Sequence, residues 1–310
     1  MRRMMVAVIV AIMLVSSAVP ATALTPVKVV GGPANQYWPS SNGTYLAWTT
    51  DSDRGWSTYV RKLPSGEPTK INPAGTDAMK ATFVGSSNVL VYTQRRGGHW
   101  DIYFYDIASG TRTKAPNVVG RAATDEWAPM ASDTYILFWR QRFSTTGKLL
   151  NGWLLLYDRV AKTMRTLASG QRYYFPGSAG DTYVSWTTCD LARYFPNCNA
   201  RYWSESGGTV RLNLPQGRNQ YAPAIDEAGG TIYFVRAVSH ACGQRVTIRR
   251  AELGSDASTV LTSLPAGIDT DWEQSVTPNP ASGHLDLYFD RYRCRANTGD
   301  IYALRGVDTV

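Results

Sequence analysis

The sequence predicts an all-β chain folded as a six-bladed β-propeller of four-stranded antiparallel blades, with the ring closed by the N-terminal strand. A marker of Asn or Asp four residues before Pro or a small residue recurs along the chain. Its copies are Asn35-Gln-Tyr-Trp-Pro39, Asp77-Ala-Met-Lys-Ala81, Asp125-Glu-Trp-Ala-Pro129, Arg172-Tyr-Tyr-Phe-Pro176, Asn219-Gln-Tyr-Ala-Pro223 and Asp271-Trp-Glu-Gln-Ser275, spaced 42, 48, 47, 47 and 52 residues apart. Such spacing suits a four-stranded blade. Each marker precedes a strongly apolar segment, and helix signals are nearly absent.

The elements follow in order. Arg2-Arg3, the apolar run Met5 to Val15 and Ala21-Thr22-Ala23 have the layout of a secretory signal peptide, so residues 1–23 are expected to be removed and residues 24–310 to form one propeller domain. The apolar run is short of the ~20 residues a spanning helix needs, so no transmembrane anchor is expected. Val27 to Val30 reads as a strand before the first marker, and its expected place is the outer edge of blade six.

Each marker opens an inner strand. The second strands are Tyr45 to Thr49, Val89 to Thr93, Tyr135 to Trp139, Tyr183 to Thr187, Ile232 to Val235 and Leu285 to Phe289. Most lack the apolar-polar alternation of a half-solvated sheet, as strands buried on both faces do. Third strands follow at Ser57 to Leu63, Asp101 to Ile107, Asn151 to Tyr157, Asn199 to Ser204, Arg245 to Leu253 and Gly299 to Leu304. Shorter, more polar fourth strands fall at Thr69 to Asn72, Thr111 to Lys114, Thr163 to Leu167, Thr209 to Leu214 and Ser258 to Leu264. Blade six has no fourth strand of its own, which is why the N-terminal strand is assigned to it.

With 44% apolar and 18% charged residues, the 310-residue chain can bury a large core. The formal charge is +8, and loss of Arg2 and Arg3 with the leader would leave +6. Basic charge bears on partners and solubility. No Lys/Arg run or nucleic-acid motif accompanies it, so an anionic envelope polymer or acidic glycan is the expected partner class and nucleic acid is not; a monomer is expected.

Four cysteines in an exported chain favour disulfides, and three pairings are open. Cys189 ends one strand and Cys198 begins the next, so they can face each other in a hairpin. Cys242 and Cys294 occupy equivalent hairpin loops of consecutive repeats. The expected pairs are therefore Cys189 with Cys198 and Cys242 with Cys294. A zinc site using His240 and Cys242 lacks the paired spacing of such sites.

The marker with its Pro, the apolar strand, the Arg-Gly hairpins (Arg54-Gly55 and Arg96-Gly97), Asp-Ile-Tyr at 101–103 and 300–302 and a following Gly turn together resemble the repeat of TolB-like β-propellers, over essentially Thr25 to Val307. The resemblance implies six blades. It departs at Ser41-Asn42-Gly43, where the family's Ser-Pro-Asp-Gly turn is degenerate, and at Arg172, where an acidic or amide residue is usual. It implies no residue-specific chemistry, because propellers of this kind host binding, scaffolding and enzymatic roles.

Nucleophile elbows, HExxH and phosphate loops are absent, and no cofactor is expected. The marker residues Asn35, Asp77, Asp125, Asn219 and Asp271 read first as caps on the turns between blades, with cation or ligand binding as the second reading. Arg54, Arg95, Arg96, Arg140, Arg142, Arg193, Arg236, Arg245, Arg291 and Arg293 lie at or near the hairpins between second and third strands, among Trp56, Trp100, Phe143 and Tyr292. These arginines read first as part of the repeat, paired with neighbouring Asp; in the second reading they bind ligand, since guanidinium forks suit acidic groups and aromatic faces suit sugar rings. The ligand-binding candidates are Arg96, Trp100, Arg142, Arg193, Arg293, His99 and His240. The first functional reading is a non-catalytic binding or interaction module. The alternative is a polysaccharide lyase or glycoside hydrolase that uses His99 or His240, with a carboxylate such as Asp190, from the same face.

Overall fold

The computed structural model describes residues 23–309, except 53–54, 117–118, 120–123, 192–196, 213–218, 238–245, 265–267, 270–273 and 294–297. The expectations placed on Arg54, Arg193, His240, Cys242, Arg245, Asp271 and Cys294 lie outside the described residues.

Six sheets surround a central channel. Strand β1 (Val27–Val30) comes first, and blade one follows as β2 (Asn35–Ser41), β3 (Tyr45–Ser52), β4 (Gly55–Lys62) and β5 (Thr69–Lys70). Blade two is β6 (Ala78–Phe83), β7 (Val89–Arg96), β8 (His99–Asp106) and β9 (Arg112–Lys114). Blade three is β10 (Asp125–Ala131), β11 (Tyr135–Phe143), β12 (Leu149–Asp158) and β13 (Thr163–Gly170). Blade four is β14 (Arg172–Ala179), β15 (Tyr183–Asp190), β16 (Asn199–Ser204) and β17 (Gly208–Arg211). Blade five is β18 (Asn219–Asp226), β19 (Thr231–Ala237), β20 (Val246–Glu252) and β21 (Thr259–Leu264). In blade six, two short inner strands, β22 (Ile268–Asp269) and β23 (Gln274–Pro278), pair with β24 (Leu285–Arg293), which pairs with β25 (Thr298–Arg305), and β1 completes the sheet antiparallel to β25.

The second strands are buried on both faces: in β15, Val184 to Cys189 are all buried. Neighbouring blades cover them from either side. The outer strands β5 and β9 are exposed along their whole length, so their polar composition costs nothing in the core.

Ring closure rests on more than the β1 ladder. The guanidinium of Arg61 in blade one donates to the carbonyl of Val29 at 2.8 Å, Lys28 pairs with Asp300 at 2.9 Å, and the N–H of Leu24 reaches the carbonyl of Leu261 in blade five at 2.9 Å. The N-terminal segment therefore ties three blades together and covers an edge that would otherwise be open.

The inner strands are irregular at one repeated place. The pairing register shifts between Tyr37 and Ser40, Met79 and Thr82, Trp127 and Met130, and Tyr221 and Ala224. In each of these bulges the fourth marker residue is left-handed: Trp38, Lys80, Ala128 and Ala222 have φ of 52°, 56°, 50° and 50°. A side chain in this region costs about 1–2 kcal/mol. Part of the compensation comes from the preceding blade, where the hydroxyls of Thr49 and Thr187 accept the N–H groups of Lys80 and Ala222 at 3.0 and 3.1 Å. Blade four differs, its register shifting between Pro176 and Ser178. A Cβ on Gly177 would lie 2.1 Å from the carbonyl oxygen of Pro223, so only glycine allows blades four and five to approach this closely.

Candidate functional site: the hairpin face

Because β2 runs antiparallel to β3 and β3 to β4, the starts of the inner strands and the hairpins between second and third strands share one end of the propeller. The same holds in every blade. The candidate residues Arg96, His99, Trp100, Arg142 and Arg293 all lie at this end.

Local sequence sets the hairpins. Arg96 pairs with His99 across Gly97-Gly98, whose φ values of 63° and 92° are those of a two-residue primed turn, a conformation that glycine reaches without strain. In blade three the strands run further, and Phe143 pairs with Leu149 across a five-residue loop.

The marker residues do cap backbone, but across blades. Oδ1 of Asp77 accepts the N–H of Trp56 at 3.0 Å, Asp125 that of Trp100 at 3.0 Å, Asn219 that of Cys198 at 3.0 Å, and Asn35 that of Gly299 at 2.9 Å. These four markers therefore clasp the start of the third strand of the preceding blade, Asn219 through the residue just before it, instead of their own turn. Arg172 cannot accept such a bond; its guanidinium pairs with Asp190 at 3.2 Å, and Asp190 also accepts the amide of Asn197 at 2.8 Å.

The clasps fix Trp56 and Trp100 at the channel mouth, within an aromatic funnel. Trp56 stacks on Trp38 with centroids 5.3 Å apart, Tyr37 lies 5.7 Å from Trp56 and 6.2 Å from Tyr292, and Trp100 meets Trp127 at 5.0 Å. On the far side, Tyr173 stacks on Phe175 at 5.7 Å and both present edges to Trp139. Trp56, Trp100, Trp127 and Tyr292 are half-buried, and Trp38 is buried.

A lysine closes the bottom of the funnel. The ammonium of Lys80 sits 4.5 Å over the Trp38 ring and 6.0 Å from that of Phe175. Lys80 belongs to blade two and Phe175 to blade four, which are not adjacent, so this approach is made through the channel. The fourth marker positions thus form a waist in which Trp38, Lys80 and Phe175 are large while Ala128 and Ala222 leave room for them. Desolvated cation–π contacts of this kind contribute about 2 kcal/mol.

Around the rim, Arg95, Arg96, Arg142 and Arg293 are exposed, and none of them is in an ion pair with a described residue. Arg95 lies 6.0 Å from the Trp100 ring. The basic ring is not uniform. Arg140 is buried, its Nε donating to Oε1 of Glu126 at 2.9 Å and its Nη2 to the carbonyl of Val119 at 2.6 Å. Burial pushes the Glu126 carboxyl above the usual range, against the lowering effect of hydrogen bonds from Thr124 and Arg140. This pair supports the mouth from inside and does not face solvent. Arg291 lies over the Tyr302 ring at 5.0 Å.

His99 is exposed, with Nδ1 3.6 Å from Oδ1 of Asp125, the oxygen that also holds the N–H of Trp100. Among the described residues no group of three or more His, Cys, Asp and Glu side chains is placed to hold a metal ion. Of the two expected disulfides, Cys189–Cys198 is present, with both residues buried.

The clasps and the waist were not read from sequence. The signal for the waist lay within the marker, whose fourth position varies as Trp, Lys, Ala, Phe, Ala and Gln while its ends vary less. Glu126 gave a similar hint, since it stands directly across from Arg140 in the β10–β11 ladder.

No family model matches the chain, and no curated protein matches it. Solved structures do. A putative TolB from Agrobacterium tumefaciens aligns with a TM-score of 0.57 at 11% identity, covering 88% of this chain and 91% of its own. TolB from Acinetobacter baumannii gives 0.55 at 12%, covering 85% and 64%. An oligogalacturonate lyase in complex with manganese gives 0.52 at 12%, covering 90% and 84%. At these identities the likeness is one of fold, and the fold is a TolB-like six-bladed propeller.

Proposed function

We propose that the protein is an exported, non-catalytic binding module whose hairpin face holds an anionic glycan of the cell envelope. The supporting observation is the aromatic funnel around Trp38, Trp56, Trp100 and Trp127, floored by the Lys80 ammonium and rimmed by Arg95, Arg96, Arg142 and Arg293. Aromatic faces pack against the C–H faces of sugar rings, and guanidinium forks take up carboxylate or sulfate groups. Export fits the leader-like residues 1–23 and a disulfide, which an oxidising compartment preserves.

Binding to an acidic polysaccharide column is the test. Retention should be strong at low salt and weaken as the Debye length falls from about 10 Å at 0.1 M to about 3 Å at 1 M. Replacing Arg142 and Arg293 together with Ala should weaken binding about three- to thirtyfold, at up to about 1 kcal/mol for each exposed charge. Replacing Lys62 and Lys162, which lie at the opposite end of the propeller, should change it little. Equal losses in the two double variants would reduce the interaction to net charge.

His99 beside Asp125 keeps one enzymatic reading in view, a lyase or hydrolase acting on the same acidic glycan, and a lyase is among the proteins of similar fold. Turnover of a polyuronate by the wild type that is lost in His99→Ala would establish that reading in place of the first.

A further inference from the structure

From the waist, where Gln274 holds the fourth marker position of blade six, the channel opens toward the other end of the propeller as a cavity of about 150 Å³. It is distinct from the hairpin face, with which it shares none of the rim arginines or funnel tryptophans. Its walls differ from side to side. Blades six and one supply Gln274, Ser275 and Ser40, whereas Met130, Ala179 and Ile225 of blades three, four and five make an apolar wall.

The polar side has unused capacity. Gln274 is buried, at 4% exposure, and neither its carbonyl oxygen nor its amide nitrogen has a partner among the described residues. Burying both ends of a carboxamide unpaired costs several kcal/mol. The hydroxyls of Ser275 and Ser40 accept the N–H groups of Ser41 at 3.1 Å and Phe83 at 3.3 Å, and their own protons have no acceptor among the described residues. One wall thus offers an adjacent acceptor and donor on Gln274 with two hydroxyl donors beside it.

We infer that this cavity is a second binding site that takes one neutral sugar ring in the pyranose form. A cavity of about 150 Å³ is large enough for a six-membered ring. A pyranose has an apolar face for the Met130 and Ile225 side, and vicinal hydroxyls that both donate to and accept from a carboxamide. Among the described residues the lining carries no charged side chain, so a uronate would have to desolvate its carboxylate without a counter-ion from them. An entirely apolar ring would leave Gln274 unpaired. Ordered water filling the cavity is the competing occupant, and the experiment separates the two.

The test is titration calorimetry of the intact protein with a panel of neutral pyranoses (glucose, galactose, mannose), galacturonate and cyclohexanol. At least one neutral pyranose should bind saturably, and galacturonate and cyclohexanol should bind at least tenfold more weakly. Gln274→Leu, which keeps the volume and removes the pair of hydrogen-bonding groups, should weaken sugar binding at least tenfold. Ala179→Leu, which fills the cavity from the opposite wall, should abolish it. Both variants are checked for a native melting transition, and a variant lacking one leaves the other to decide. Absence of saturable binding by every neutral pyranose would overturn the inference, as would unchanged affinity in the folded variants or tighter binding of galacturonate. Retention on an acidic polysaccharide should be the same for Gln274→Leu and wild type, so the two sites stand or fall separately.

Discussion

Asn35, Asp77, Asp125 and Asn219 each place one side-chain oxygen on a backbone N–H of the preceding blade. Two are amides and two are acids, so the role needs an acceptor and not a charge. Asp125→Asn should therefore leave stability nearly unchanged, whereas Asp125→Ala strands the N–H of Trp100 and should cost about 1–3 kcal/mol. Urea unfolding of the two variants checks this, and equal losses would show that the charge matters. Arg172→Ala should cost less than about 1 kcal/mol, since it removes only a half-exposed ion pair. Replacing Cys189 and Cys198 together with Ser should cost about 2–3 kcal/mol, the expectation for a loop of this length. The marker itself was legible in the sequence because it repeats. Its partner was not, since a bond between Asp125 and Trp100 spans two blades and leaves no local pattern. For Arg140 the position near a hairpin is visible in sequence, but the burial that pairs it with Glu126 depends on the neighbouring strand.

The loops at the end opposite the hairpins are clasped across blades in the same manner, by carboxylates. Asp181 of blade four accepts the N–H of Thr134 in blade three at 2.9 Å, and Glu227 of blade five accepts those of Thr182 and Tyr183 in blade four at 2.9 and 2.6 Å; within blade six, Asp308 accepts the N–H of Leu285 at 2.9 Å. Burial would raise the carboxyls of Asp181 and Asp308, but it is outweighed: for Asp181 by hydrogen bonds from Ser132 and Thr134, for Asp308 chiefly by the N–H of Leu285 together with His284. Both carboxyls therefore sit below the usual Asp range. Their contribution is present above the unfolded value of about 3.9 and is lost as pH falls through the lowered folded values. Acid unfolding followed by fluorescence should be shallower in Asp181→Asn than in wild type, and identical curves would contradict the assignment. Glu126 works in the opposite sense, because its raised value makes its contribution fade as pH rises. Most strand positions were legible from the doubly buried apolar runs. The inner strand of blade six was not anticipated as two pieces, since β22 and β23 pair separately with β24.

Taken together, the six blades form a ring whose closure and channel were legible to different degrees. The closing strand could be foreseen because blade six lacked a fourth strand and Val27 to Val30 lacked a sheet. Deleting residues 24–30 would expose β25 and remove the Arg61 and Lys28 contacts, and should lower the melting temperature markedly. An unchanged transition would mean that β1 does not hold the ring. The waist was not foreseen, because Lys80 meets Phe175 only once blades two to four have curved around an axis. That closure divides the molecule into a basic aromatic funnel at one end and an uncharged cavity at the other. Hydrogen exchange with and without a saturating acidic oligosaccharide tests the functional account most directly. Protection is predicted at the hairpin ends of β7, β8, β11 and β24, with the loops at the opposite end unchanged. Protection at the opposite end, or none in the hairpins despite saturation, would contradict it.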